Sequence, residues 1–90
     1  MNEINLIEGT YLDNIKCVLV YDKLTYRNRV RPLPNQDLPT SLFIECSKSI
    51  REKYPVGTIF IAKSVKVCCK ETGVFYLRAE KQIITPLIED

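Results

Sequence analysis

Residues 58–85, TIFIAKSVKVCCKETGVFYLRAEKQIIT, read as one long β-hairpin folded about Lys70-Glu71-Thr72-Gly73. With Gly73 in the left-handed position of a short bulged loop, Lys70 falls opposite Val74 and the pairing runs outward from there. Cys69 then faces Phe75, Val67 faces Leu77 and Val65 faces Ala79 on one side. Cys68 with Tyr76, Lys66 with Arg78 and Ser64 with Glu80 take the other side, because strand side chains alternate between faces. The first face is apolar and predicts the core. The second is basic and aromatic, and strict alternation adds Phe60 and Ile84 to it, with Val74 beside them.

The same register sets Lys63 opposite Lys81 on the apolar face, where two like charges are unfavourable. Either the ladder ends or bulges near Glu80-Lys81-Gln82, or that end opens to solvent and both lysines snorkel. Further out, the register pairs Ile61 with Ile83.

Working back from the hairpin, Pro55-Val56-Gly57 stops whatever precedes it. Leu42 to Cys46 reads as a strand, and Ser49 with Glu52 has the spacing of a capping box for a short helix over residues 47–54. A single helix from Ser41 to Tyr54 is the alternative, since Leu42, Cys46, Ile50 and Tyr54 recur every four residues. Pro32, Pro34 and Pro39 mark a loop that crosses the end of the sheet. Leu24 to Arg31 alternates, with Leu24, Tyr26, Asn28 and Val30 on one side and Thr25, Arg27, Arg29 and Arg31 on the other. Asp22-Lys23 turns the chain into it from a strand over Ile15 to Tyr21, which follows a tight turn at Asp13-Asn14. Pro86 closes the last strand, and Leu87 to Asp90 form a loosely held tail.

The predicted fold is therefore mainly β, a β-rich α+β arrangement. It is either a small bent antiparallel sheet or a partly open OB-like barrel of five or six strands with one short helix. Ninety residues leave room for one core, hence a single domain over residues 1–90. Hydrophobic residues make up 46% and charged residues 27%, too apolar for disorder. Met1 to Asn5 lack the cationic start and apolar run of an export signal, and the expected location is cytoplasmic. The four cysteines are then expected as thiols, with Cys17, Cys46 and Cys69 in the core and Cys68 partly exposed beside Tyr76.

The chain contains no histidine, which removes the commonest general base, nucleophile activator and metal ligand. Gly9, Gly57 and Gly73 are too far apart for a phosphate loop, and adjacent Cys68 and Cys69 point to opposite faces of a strand, unlike a C-x-x-C metal pair. Neither an enzymatic role nor a cofactor nor a metal is expected.

Two binding readings remain. Protein or self-association would use Phe60, Val74, Tyr76 and Ile84 as an apolar interface, and ranks slightly ahead. Single-stranded nucleic acid would run along Arg27, Arg29 and Arg31, which recur at every second strand position about 6.8 Å apart, with Lys66, Tyr76 and Arg78 as a second basic and aromatic cluster. Against it, thirteen basic and eleven acidic residues leave a net charge of only +2, and such side chains also occur on an ordinary solvated face. No membrane partner is expected.

The run Arg51-Glu52-Lys53-Tyr54-Pro55-Val56-Gly57-Thr58-Ile59-Phe60, followed by a Lys-rich strand, a short turn and Phe75-Tyr76-Leu77-Arg78, resembles small uncharacterised proteins of bacterial mobile gene (integron) cassettes. The resemblance covers the C-terminal half. It implies a compact, cytoplasmic bacterial protein and brings no activity or site residue with it.

Overall fold

Tyr11 to Asp22 forms β1, the longest strand, and the remaining elements assemble around it. The computed structural model describes residues 6–87, so Met1 to Asn5 and the last three residues of the expected tail lie outside the described residues. Next come β2 (Arg27–Pro32), β3 (Ile44–Glu45), the helix α1 (Lys48–Lys53), β4 (Ile59–Cys69), β5 (Phe75–Ala79), one 3-10 turn (Glu80–Gln82) and β6 (Thr85–Pro86). They make one mixed six-stranded sheet in the order β2-β1-β4-β5-β3, with β6 also pairing β4. The sheet curls until its edge strands β2 and β3 approach each other, which nearly closes a barrel with α1 at the seam.

The hairpin of β4 and β5 has the register read from the sequence: Cys69 opposite Phe75, Cys68 opposite Tyr76, Val67 opposite Leu77, Lys66 opposite Arg78 and Val65 opposite Ala79. Gly73 takes φ +90, and the Lys70 amide donates to the Val74 carbonyl at 2.9 Å. The ladder stops at Ala79. Lys81 and Gln82 adopt φ +54 and +58, so the chain turns away before Lys63 and Lys81 can oppose each other. It returns as β6 with Thr85 opposite Ile61, where the extrapolated register has Ile83. The turn has absorbed a two-residue offset. Leu87, expected to be loose, is bonded from its amide to the Ile59 carbonyl at 2.9 Å.

Phe60 and Ile84 are not on the outer face: they are core residues, 0% and 3% exposed. Strict alternation fails because β4 exchanges its inward set partway along, from Val65 and Val67 to Phe60 and Ala62. Its partner β1 does the same, from Leu12 to Ile15, Cys17 and Leu19. Both exchanges occur at one rung. The β1–β4 register is the same on either side, but the Asn14–Lys63 pair is skipped and Asn14 takes φ +55. A left-handed residue, which Asn tolerates, rotates the strand there. Asp13-Asn14 is thus a twist inside β1 and not the turn that starts it.

The β1–β2 connection occupies residues 23–26, later than Asp22-Lys23, and β2 starts at Arg27. Pro32 ends β2 opposite Cys17, at the sheet edge where a missing donor is tolerated. In the loop that follows, Leu38 and Leu42 turn inward and join the core. The side-chain amide of Gln36 both accepts from the Lys16 amide and donates to the Lys16 carbonyl, each at 2.8 Å, and so imitates a strand rung. Residues 44–53 are a strand and then a short helix, and not one helix. Ser47, not Ser49, precedes the helix, and no side chain caps it. β3 pairs β5 in parallel, Ile44 opposite Leu77, so the sheet is mixed where an antiparallel one was expected. Among the described residues, no helix is long and apolar enough to cross a membrane.

Candidate functional site

The seam between β2 and β3 has no backbone ladder, and side chains bridge it instead. Arg31 donates from Nη1 to the Ser41 carbonyl at 3.0 Å, and Arg51 of α1 donates from Nη1 to the Asn28 carbonyl of β2 at 3.0 Å. Phe43, just before β3, lies under two guanidinium groups, with the Arg29 and Arg31 carbons 3.6 and 4.2 Å from its ring centre. Stacking holds a guanidinium flat while its edge N–H groups stay free to donate, the geometry that suits phosphate.

Beside this stack lies a groove of about 450 Å³ that runs from β2 across β3 and the start of α1 to the β4–β5 loop. Arg27, Arg29, Lys48, Arg51 and Lys70 bring five cationic side chains to its lining, against the single carboxylate of Glu45. That carboxylate is engaged on the outside by Arg78 at 3.4 Å. Phe43, Phe75 and Tyr76 supply aromatic surface, with Val74 at the rim. Lys70 stands over the Tyr76 ring, its Nζ 5.9 Å from the centroid. Burial, then Cys68, push the Tyr76 phenol above its ordinary value, so it stays a neutral donor near neutral pH.

Asp22 is the counter-charge on the far side of Arg29, at 4.0 Å. The Thr25 hydroxyl, at 2.7 Å, does most to hold its carboxyl below the usual range. Burial opposes that shift, while the Leu24 amide and the Arg29 and Arg31 cations add to it. Burial lowers the Arg29 guanidinium below its ordinary value, with Arg27, Arg51 and Arg31 adding repulsion against the help of Asp22. The Nε of Arg51 is buried and has no partner. The five cations of the lining face three carboxylates, Asp22 beside Arg29, Glu52 at 4.0 Å from Lys48, and Glu45, which Arg78 also engages, so positive charge is left in excess at the groove.

Of the residues singled out from the sequence, Arg27, Arg29, Tyr76 and Val74 come together here. Arg31 stacks on Phe43 but does not line the groove. Lys66 and Arg78 are exposed on the outer face of the β4–β5 ladder and line no part of the groove. Phe60 and Ile84 are in the core, which removes half of the proposed association interface. Lys48, Arg51, Lys70, Phe43 and Phe75 were missed. Only Lys70 was within reach of sequence reasoning, since the hairpin register already sets it at the end of the face that carries Tyr76. The others depend on β3 joining β5 across the barrel.

Among the described residues, no three His, Cys, Asp or Glu side chains gather as a metal site. No protein-family model matches the chain, and neither does any curated protein or solved structure to which it was compared.

Proposed function

We propose that this chain is a single-stranded nucleic-acid-binding domain with no catalysis of its own. The observation that carries the reading is the groove at the β2–β3 seam, where five cations meet three carboxylates beside three aromatic rings in a chain whose net charge is only +2. Phosphates would lie against Arg27, Arg29, Lys48 and Arg51, and a base would stack on Tyr76 or Phe75. The one thiol in the lining, Cys46, is buried, and that burial pushes it above its ordinary value and keeps it protonated, which favours binding over chemistry. The strand order and the helix between β3 and β4 support reading the barrel as OB-like, an analogy of fold that by itself names no ligand.

The association reading is weaker, since only Val74 and Tyr76 of its four residues are at the surface, and both line the charged groove. The test is fluorescence anisotropy with labelled single-stranded DNA and RNA of about a dozen nucleotides at low salt. Changing Arg27 and Lys70 together to Ser, both exposed and outside the core, should weaken binding tenfold or more and lower the salt slope by about 1.4. Absence of binding at low salt, or binding indifferent to the double change, would discard the proposal.

A further inference from the structure

The turn between β1 and β2 carries two of the most exposed apolar side chains of the described residues, Leu24 at 91% and Tyr26 at 81%. Its shape does not depend on them. Asp22 accepts from the Leu24 amide at 3.1 Å and from the Thr25 hydroxyl at 2.7 Å, and Asp22 opposes Arg27 in the ladder. The tip is therefore pinned from within the strand. Six residues other than glycine adopt positive φ among those described, and three of them are Asn14, Asn35 and Asp37, the types that tolerate it. Tyr26, at φ +56, is the one aromatic residue in the set. At this position the backbone favours Gly or Asn, and the ring is too exposed to be rewarded by packing. A side chain that the fold neither needs nor favours points to a contact outside the fold.

Tyr26 is bonded directly to Arg27, which lines the groove. Resting on the single-strand reading above, we infer that Tyr26 is a second base-stacking platform. It receives a nucleotide that leaves the groove at its β2 end while Arg27 holds the intervening phosphate. The site then continues past the concave lining onto the turn and engages strands longer than the groove can enclose. Leu24, exposed on the same turn, would add apolar surface for the base or sugar.

The chain contains no tryptophan, so Tyr26→Trp introduces a unique reporter. Its fluorescence should be quenched on addition of a single strand of about a dozen nucleotides and not by a dinucleotide. Tyr26→Asn keeps the preferred backbone, loses the ring, and should bind the longer strand about tenfold more weakly with no fall in melting temperature. Tyr26→Phe should restore binding. If Tyr26→Asn binds like the wild type while the Arg27 and Lys70 double change does not, the groove stands and the platform is refuted. Equal weakening toward dinucleotide and longer strand would also refute it, because the ring would then be shaping the groove. If the wild type binds no strand at low salt, both fall together.

Discussion

Phe60 is the largest fully buried side chain, and Tyr54 meets its ring edge-on at a centroid distance of 5.3 Å. Phe60→Ala should cost about 3–5 kcal/mol in chemical denaturation, the usual range when a buried ring leaves a cavity. A charge at Phe60 should unfold the chain and not dissolve an interface. Asp22 predicts a pH effect. Its folded pKa is below the unfolded value, so the folded state binds fewer protons, and the stability it adds is complete above the unfolded value. That contribution drains as pH falls through the folded value. Melting temperatures followed from about pH 5 down to about pH 2 should therefore fall less steeply for Asp22→Asn than for the wild type. Cys17 responds in the opposite sense: burial, then Cys46, push its thiol up to about 12, so it stays protonated and behaves as a small core residue. These roles differ in legibility. Cys17 and Cys46 could be read as buried from the apolar runs around them, while Cys69, expected in the core as well, is only half-buried near the hairpin loop. Phe60 could not be assigned, because its side depends on a twist several residues away.

Among the elements, the β4–β5 hairpin was readable in register because its two arms are adjacent in sequence and its loop is short. Gly73→Ala tests that loop. Nothing approaches the added methyl within 4 Å, so the cost is backbone strain alone at φ +90. A loss of about 1–2 kcal/mol by thermal or urea denaturation is expected. The like-charge conflict of Lys63 with Lys81 also marked correctly where the ladder ends. Its resolution was not readable, since the turn at Lys81 and Gln82 uses left-handed backbone at residues that do not advertise it. The same holds at Asn14. A residue type that suits a turn equally suits a twisted strand, and only the pairing of β1 with β4 decides between them. The two-residue β3 is too short to show alternation, and its parallel partner arrives late in the chain.

Taken as a whole, the molecule is closed by two different kinds of bond. β4 is hydrogen-bonded on both sides, to β1 on one and to β5 and β6 on the other, whereas β2 and β3 meet only through side chains. Amide exchange should be slowest along β4 and fastest, among the strands, in β2 and at Ile44-Glu45. A bound anionic strand should slow exchange selectively at that seam. Uniform protection, or protection on the outer face of β5, would argue for another binding surface. About half of the site was legible because arginines at alternate positions of one strand must share a face. The other half comes from three elements that converge only when the sheet curls. The same curl leaves β1 without a paired strand where β2 stops, beyond Cys17, apart from the Leu33 amide, which donates to the Lys16 carbonyl at 3.0 Å. There the Gln36 amide, with its bonds to Lys16, takes the place of a neighbouring strand. It occupies the hydrogen-bonding groups that a second molecule would use to add itself to the sheet, so a single loop side chain helps to guard the folded protein against templated aggregation at that edge.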